Sequence, residues 1–502
     1  MDNEGVGAWP HRRARLWPER TALVFRGERR SYAELDERTT RLAHVLRDLG
    51  VRRGDRVALL SPNHPAHLEV LFAAGLLGAV HVPLNSRLTA AEVAFALQDS
   101  GAVVLVHSAE VADIAEAAAA EAGTPRRLAF DGPGTDYEDR IAAASPERLD
   151  EPVELGEPCF IMYTSGTTGR PKGVVLTHGT VTFAVLNPVL DLDLARDEVA
   201  LVCAPLFHTA ALNFVALPTL LKGGAVRIEE GFEPGAVLAA IEQEGVTFTF
   251  GVPTMLDALS AHPDWASADL SSLRRVVVAA APVPERTLRT YTARGIPICQ
   301  GYGLTETGPG ALVLTADRAE SRLGSAGLPH FFSDVRLADP FGEPPRPGER
   351  GEIQIRGPHV TREYWNRPDA TAEAFTEDGW FRSGDVGVAD ADGFISVVDR
   401  MKDMIISGGE NIYPAEVENV LLEMPGVAGC AVFGVPDEKW GEVGVAAVTP
   451  EPGAELTAGE ITGFLAERLA KYKIPKSVVL VADIPRTASG KIRKHELRER
   501  YG

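Results

Sequence analysis

Residues Tyr163–Gly173 read YTSGTTGRPKG. Glycines permit positive φ and close backbone approach. Successive backbone N–H groups in such a turn can face inward and form a nest for an anion. The hydroxyls of Thr164, Ser165, Thr167 and Thr168 add donors, Gly166 lies among them, and Lys172 adds a point charge. The composition is that of a phosphate cradle, against the plainer reading of a polar surface loop. It is not a P-loop, which needs Gly-Lys-Ser/Thr four residues after its first glycine, whereas Pro171 stands five after Gly166. The following segment, GVVLTH, reads as a strand rather than a helix.

Outward from this stretch, strands and helices alternate. Ser31 and Glu34 form a capping-box pattern, and Leu35, Leu42, Leu46 and Leu49 follow at helical spacing. RVALLS (Arg56–Ser61) and AVVLVH (Ala102–His107) read as buried strands, with HLEVLFAAGLLG (His67–Gly78) a helix between them. After Gly173 a second series gives the strands GAVRIE (Gly224–Glu229), VTFTFGVP (Val246–Pro253) and LRRVVVAAAP (Leu273–Pro282). From about Arg322, short alternating runs among Pro and Gly predict a β-rich section, and beyond Met401 a compact α/β pattern resumes. The expected fold is α/β: a large N-terminal lobe of two α/β subdomains plus the β-rich section, and a small mobile α/β C-terminal lobe. The boundary is placed at residues 1–400 and 401–502, since 502 residues exceed what one core organises.

The totals narrow the function. A net charge of -20 argues against nucleic-acid binding. The four cysteines, Cys159, Cys203, Cys299 and Cys430, show no CxxC spacing, so buried free thiols are expected rather than zinc or disulfides. The most apolar run, LFAAGLLGAV (Leu71–Val80), is far short of the roughly 18 residues of a membrane span. The opening residues carry no signal-peptide core and the closing RERYG is no peroxisomal address, so a cytoplasmic location is expected.

Further strings stand in order along the chain: QGYGLTETG (Gln300–Gly308), FRSGDVG (Phe381–Gly387), DRMKDMIISGGENIYPAEVE (Asp399–Glu418) and PRTASGKIRK (Pro485–Lys494). With YTSGTTGRPKG they resemble the signatures of the adenylate-forming acid–CoA ligases, which include acyl- and aryl-CoA synthetases, luciferases and peptide-synthetase adenylation domains. The resemblance implies an enzyme that joins a carboxylate to ATP, releases pyrophosphate, and passes the acyl group from acyl-AMP to a thiol. It implies ATP, Mg²⁺ and CoA as cofactors. Free CoA is the expected acceptor, and an acyl carrier protein or adenylation alone is the alternative. No membrane span is implied, and a homodimer is an open possibility for assembly.

Residue by residue, the resemblance places Mg²⁺ on Glu306, with Thr305 and Thr164 touching phosphate or metal oxygens. One glutamate suffices because Mg²⁺ keeps waters and takes phosphates. Ala280, Ala281, Gly301 and Tyr302 would wall the adenine, with Ala279 standing where relatives often carry glycine. Asp385 and Arg400 would hold the ribose. His208 would line the acyl channel, and Lys491 would bridge the acid oxygen and the α-phosphate. Lys402 would be the hinge, and Gly408 and Gly409 would let a pantetheine arm pass. DEKWGE (Asp437–Glu442) resembles the segment at the CoA entrance. Taken alone, Glu306 would be a solvated loop charge, Asp385 and Arg400 a surface ion pair, His208 a packed core residue and Lys491 part of a basic tail.

The segments expected around the acid, Phe207–Asn213, Val252–Met255, Ala279–Ala281 and Tyr302–Ala311, are small or apolar and contain no Arg or Lys. At Ala258, malonate-activating relatives carry arginine. The expected substrate is therefore a medium-chain, aromatic or polycyclic hydrophobic acid. A P-loop ATPase and a catalytically silent nucleotide-binding regulator are the rivals. The loop spacing excludes the first, and the presence of Glu306, Asp385 and Lys491 argues against the second.

Overall fold

A computed structural model describes residues 3–124, 126–149, 151–164, 171–281, 283–400, 403–407, 410–469, 471–487 and 491–502. The chain divides into two compact units, Met1–Val335 with Ile355–Phe381, and Arg336–Gln354 with Arg382–Gly502. The β-rich section is thus split between the two units.

The first unit holds two open sheets. One has six strands in the order Arg126–Phe130, Ala102–Ser108, Arg56–Leu60, Val80–Leu84, Pro158–Thr164, Lys172–Thr177. All its pairings are parallel except the last, a hairpin. Side chains along a strand alternate between faces, and here both faces are covered. Val57, Leu59, Val104 and Val106 enter one core, while Ala58, Leu60 and Leu105 enter the other. That is why RVALLS reads as an uninterrupted apolar run. The helix Tyr32–Asp48 starts with the expected capping box: the Glu34 N–H donates to Ser31 Oγ at 3.2 Å, and the Ser31 N–H to Glu34 Oε2 at 2.7 Å. Such a cap contributes about 1 kcal/mol.

The other sheet has nine strands. Its parallel part runs Ile298–Tyr302, Arg275–Val278, Phe248–Gly251, Val199–Val202, Ala225–Ile228, Thr21–Phe25. The same alternation sorts Ala200, Val202, Phe248 and Phe250 to one core, and Leu201, Val276 and Val278 to the other. The expected strands of the second series are present with trimmed ends, because Pro253 opens a helix and Ala279–Ala281 form a turn.

Asp334–Ala338, Arg350–Arg356, Phe381–Ala389 and Ile395–Arg400 form a four-stranded sheet, as the alternating runs predict. The C-terminal α/β part packs the helices Pro414–Leu422 and Ala458–Ala466 on a five-stranded sheet around Ile405, Val417, Val432 and Ile461. All four cysteines are buried and unpaired. Among the described residues, no helix is long and apolar enough to cross a membrane.

Candidate active site

The nine-stranded sheet gathers the expected acid and adenine segments at one edge. Val252–Met255, Ala279–Ala281 and Tyr302–Glu306 each follow the carboxyl end of a parallel strand. Ligands of open α/β sheets bind in the crevice outside those ends. Ala280 and Ala281 are exposed there, and Ala280 has φ 72°. The left-handed backbone that suits glycine therefore falls on Ala280. A Cβ costs roughly 1–2 kcal/mol in this region.

Gly303 is fixed by contact rather than by φ. A Cβ there would lie 1.6 Å from Pro309 O, so only glycine lets the loop carrying Thr305 and Glu306 close on itself. His208 is half-buried against Phe207, with ring centroids 4.8 Å apart, ahead of a π-helical turn, Leu212–Ala216. That turn presents Asn213, whose Nδ2 donates to Gly308 O at 3.1 Å.

The six-stranded sheet supplies the glycine and hydroxyl stretch. Its described feet, Thr164 and Lys172, face each other across the terminal hairpin. Tyr163 secures the first foot by donating to Asp99 Oδ2 at 2.9 Å, and Arg367 holds Asp99 Oδ1 at 2.6 Å. Ser165, Gly166, Thr167 and Thr168 lie outside the described residues, as do Lys402, Gly408 and Gly409.

A strap that the sequence reading missed joins the two sheets. The Thr361 N–H donates to Glu306 O at 2.7 Å, and Thr361 Oγ1 to Val175 O at 2.7 Å. The Trp365 N–H donates to Gly173 O at 2.7 Å. Between them, the Tyr364 hydroxyl donates to Glu306 Oε1 at 2.8 Å, while Lys172 Nζ sits 5.2 Å from the Tyr364 ring centroid. Burial, and next the Glu306 carboxylate, push the Tyr364 hydroxyl far above the usual phenol range, so it stays a donor. Among the described residues Glu306 has no cationic partner. The sole trace of this arrangement in the sequence is a tyrosine inside the polar run TREYWN.

In the second unit, Asp385 is buried, and its backbone stands opposite that of Arg400 in the register of the strands Phe381–Ala389 and Ile395–Arg400. The Asp385 N–H donates to Ser383 Oγ at 3.0 Å. Lys491 is exposed. The Thr487 N–H donates to Lys491 O at 2.7 Å, and the Lys491 N–H to Thr487 Oγ1 at 3.1 Å. Its neighbours are not a solvated tail. Lys494 pairs with Glu418 at 2.9 Å and begins the last helix, and Arg493 pairs with Glu496 at 2.6 Å.

A glutamate held by one tyrosine and facing no described protein cation has an oxygen left to take a metal-bound nucleotide. The AMP-binding enzyme family matches residues 10–365, and the AMP-binding enzyme C-terminal domain matches residues 416–491. The chain is 56% identical over 502 residues to a feruloyl-CoA synthase of an Amycolatopsis species, covering 100% of both chains. It is 43% identical to the indoleacetate–CoA ligase of Aromatoleum aromaticum, covering 98% of each. The o-succinylbenzoate CoA synthetase of Bacillus subtilis has been solved with an acyl-adenylate and is 34% identical, with a TM-score of 0.89, over 98% of this chain and 97% of that one. The same synthetase with ATP and magnesium ion gives a TM-score of 0.88 at 34% identity, over 97% of this chain and 98% of that one. The chain belongs to the adenylate-forming acyl- and aryl-CoA synthetases and is an acid–thiol ligase.

Proposed function

We propose that this ligase activates an aromatic carboxylic acid. The acid oxygen attacks the α-phosphorus of ATP, pyrophosphate leaves, and the thiol of CoA then displaces AMP from the acyl carbon. Glu306 carries the reading: one oxygen is held by Tyr364, and no described cation occupies the other. The residues fit Mg²⁺, which Glu306 would hold with Thr305 and Thr164 nearby; when bound, it supplies charge neutralisation for the departing phosphates. Thr164, the stretch Ser165–Thr168 and Lys172 donate to phosphate oxygens. Gly301, Tyr302, Ala280 and Ala281 wall the adenine, and Asp385 with Arg400 accepts the ribose hydroxyls. Lys491 bridges the attacking oxygen and the α-phosphate, a use suited to a compact ammonium.

The acid lies among His208, Val252–Met255 and Tyr302–Ala311, a lining without Arg or Lys for a second carboxylate. The full-length similarity to an enzyme named for ferulate supports an aromatic acid over an aliphatic one. For CoA, exposed Trp440 offers a flat face, and Lys439 Nζ lies 4.9 Å from its ring centroid. The C-terminal part turns about Lys402 between half-reactions, withdrawing Lys491 and admitting the thiol past Gly408 and Gly409.

The test is acid-dependent exchange of labelled pyrophosphate into ATP across aromatic, aliphatic and dicarboxylic acids, with mass spectrometry of the product with and without CoA. Preference for acetate or malonate overturns the substrate assignment. The variant Lys491→Ala is expected to lose about 10²–10³ in exchange while still forming thioester from supplied acyl-AMP. Equal loss of both half-reactions rejects its assigned role.

A further inference from the structure

A pocket of about 550 Å³ in the first unit is lined by Arg13, Trp17, Arg196, Asp197 and Lys222. It is far from the crevice described above. Trp17 precedes the strand Thr21–Phe25, Arg196 and Asp197 precede Val199–Val202, and Lys222 precedes Ala225–Ile228. These strands are parallel neighbours, so the pocket lies at their amino ends, whereas Tyr302 and Glu306 follow the carboxyl end of another strand in the same parallel array. A strand of this length separates the two edges by roughly 13 Å.

The lining is cationic and uncompensated. The two carboxylate oxygens of Asp197 are taken by Arg274, at 2.9 and 2.8 Å. Among the described residues Arg13, Arg196 and Lys222 make no ion pair. Instead, the Arg13 and Arg196 guanidinium carbons lie 5.3 and 5.1 Å from the Trp17 ring centroid. Arg13 is half-buried, and burial lowers its pKa, a sign that its charge has lost hydration without gaining an anion.

The walls are also fixed in advance. Arg20 donates to Gly223 O at 3.2 Å and to Arg196 O at 2.9 Å, tying two of the lining loops together. The Tyr32 hydroxyl donates to Gly224 O at 2.7 Å. The Trp17 ring fills the place of a Gly223 Cβ, which would meet it at 3.0 Å.

We propose that this pocket is a second anion site that takes a phosphate-bearing ligand with two or more negative charges. Two guanidiniums present paired donors to phosphate oxygens and the ammonium adds a point charge. Inorganic pyrophosphate is the probe, being compact and charged enough to engage all three cations.

Equilibrium dialysis of labelled pyrophosphate against the intact protein should show two bound equivalents, one at the nucleotide site and one that weakens about a hundredfold in the double variant Arg13→Met, Arg196→Met, about tenfold per guanidinium. Acid-dependent pyrophosphate–ATP exchange should be unchanged, which also reports that the variant is folded. Lys222→Met is the substitute if the double variant misfolds. Sedimentation with phosphatidic acid or phosphatidylcholine vesicles separates the sources. Arginine-dependent binding of the anionic vesicles alone, without free pyrophosphate, assigns the phosphate to a lipid headgroup. Binding of both probes unaffected by the substitutions overturns the proposal, as does binding of neither.

Discussion

Two glutamates in the first unit each accept a hydrogen bond from a tyrosine, and they differ in what else surrounds them. Glu69, fully buried, accepts from Tyr137 at 2.7 Å and pairs with Arg30 and Arg38, each at 2.6 Å. Glu306, half-buried, accepts from Tyr364 at 2.8 Å and meets no described cation. Burial raises the Glu69 pKa, but Arg38 and Arg30 outweigh it and bring the group down to about 2. The first carboxylate is saturated by the protein and serves the fold. The second is aimed by the protein and left with capacity, which is what a metal-bound nucleotide needs.

Removing the charge at each site should separate the two roles. Glu69→Gln leaves Arg30 without its carboxylate and Arg38 with Glu138 alone, and should cost about 3–5 kcal/mol in urea unfolding. Glu306→Gln should leave unfolding unchanged while lowering exchange activity by about 10²–10³, or about 2.7–4 kcal/mol. A stability loss at Glu306 equal to that at Glu69 would dissolve the contrast.

The tyrosines sharpen it at smaller magnitude. Tyr137→Phe and Tyr364→Phe each lose a bond to a carboxylate worth about 1.5–3 kcal/mol. The first loss should appear as lowered stability. The second should appear as weaker binding of Mn²⁺–ATP followed by electron paramagnetic resonance, with melting temperature little changed.

Acid gives a further check. A carboxylate with a depressed folded pKa adds stability above its usual value, near 4.5, that disappears as pH falls toward 2. The stability gap between wild type and Glu69→Gln should therefore be full at pH 6 and close across that window. The smallest effect is expected at Ala280, where glycine relieves the left-handed backbone and should raise stability by up to about 1 kcal/mol.

The elements and the chemistry-bearing strings were legible because they are local. A capping box spans four positions, a buried strand is a short apolar run, and the stretch Tyr163–Gly173 stands out by its glycine and hydroxyl content. Tyr364 was not legible, because its meaning depends on a carboxylate 58 positions earlier in the chain. Nor was the basic pocket, whose cations come from the helix Trp9–Ala14, the connection before Val199 and the end of the helix Leu217–Lys222, and form a cluster only once parallel strands align their amino ends. Ala280 shows the intermediate case: the strand was anticipated, but it stops at Val278, and the unusual dihedral falls just past that end.

The strap from Thr361 to Trp365 fastens the strand Lys172–Thr177 and the loop of Glu306 to one short segment. Damage there need not touch either part to disable both. Proteolytic nicking between Thr361 and Trp365 should leave the two sheets folded and yet abolish nucleotide capture in a single event, a vulnerability that neither sheet has alone.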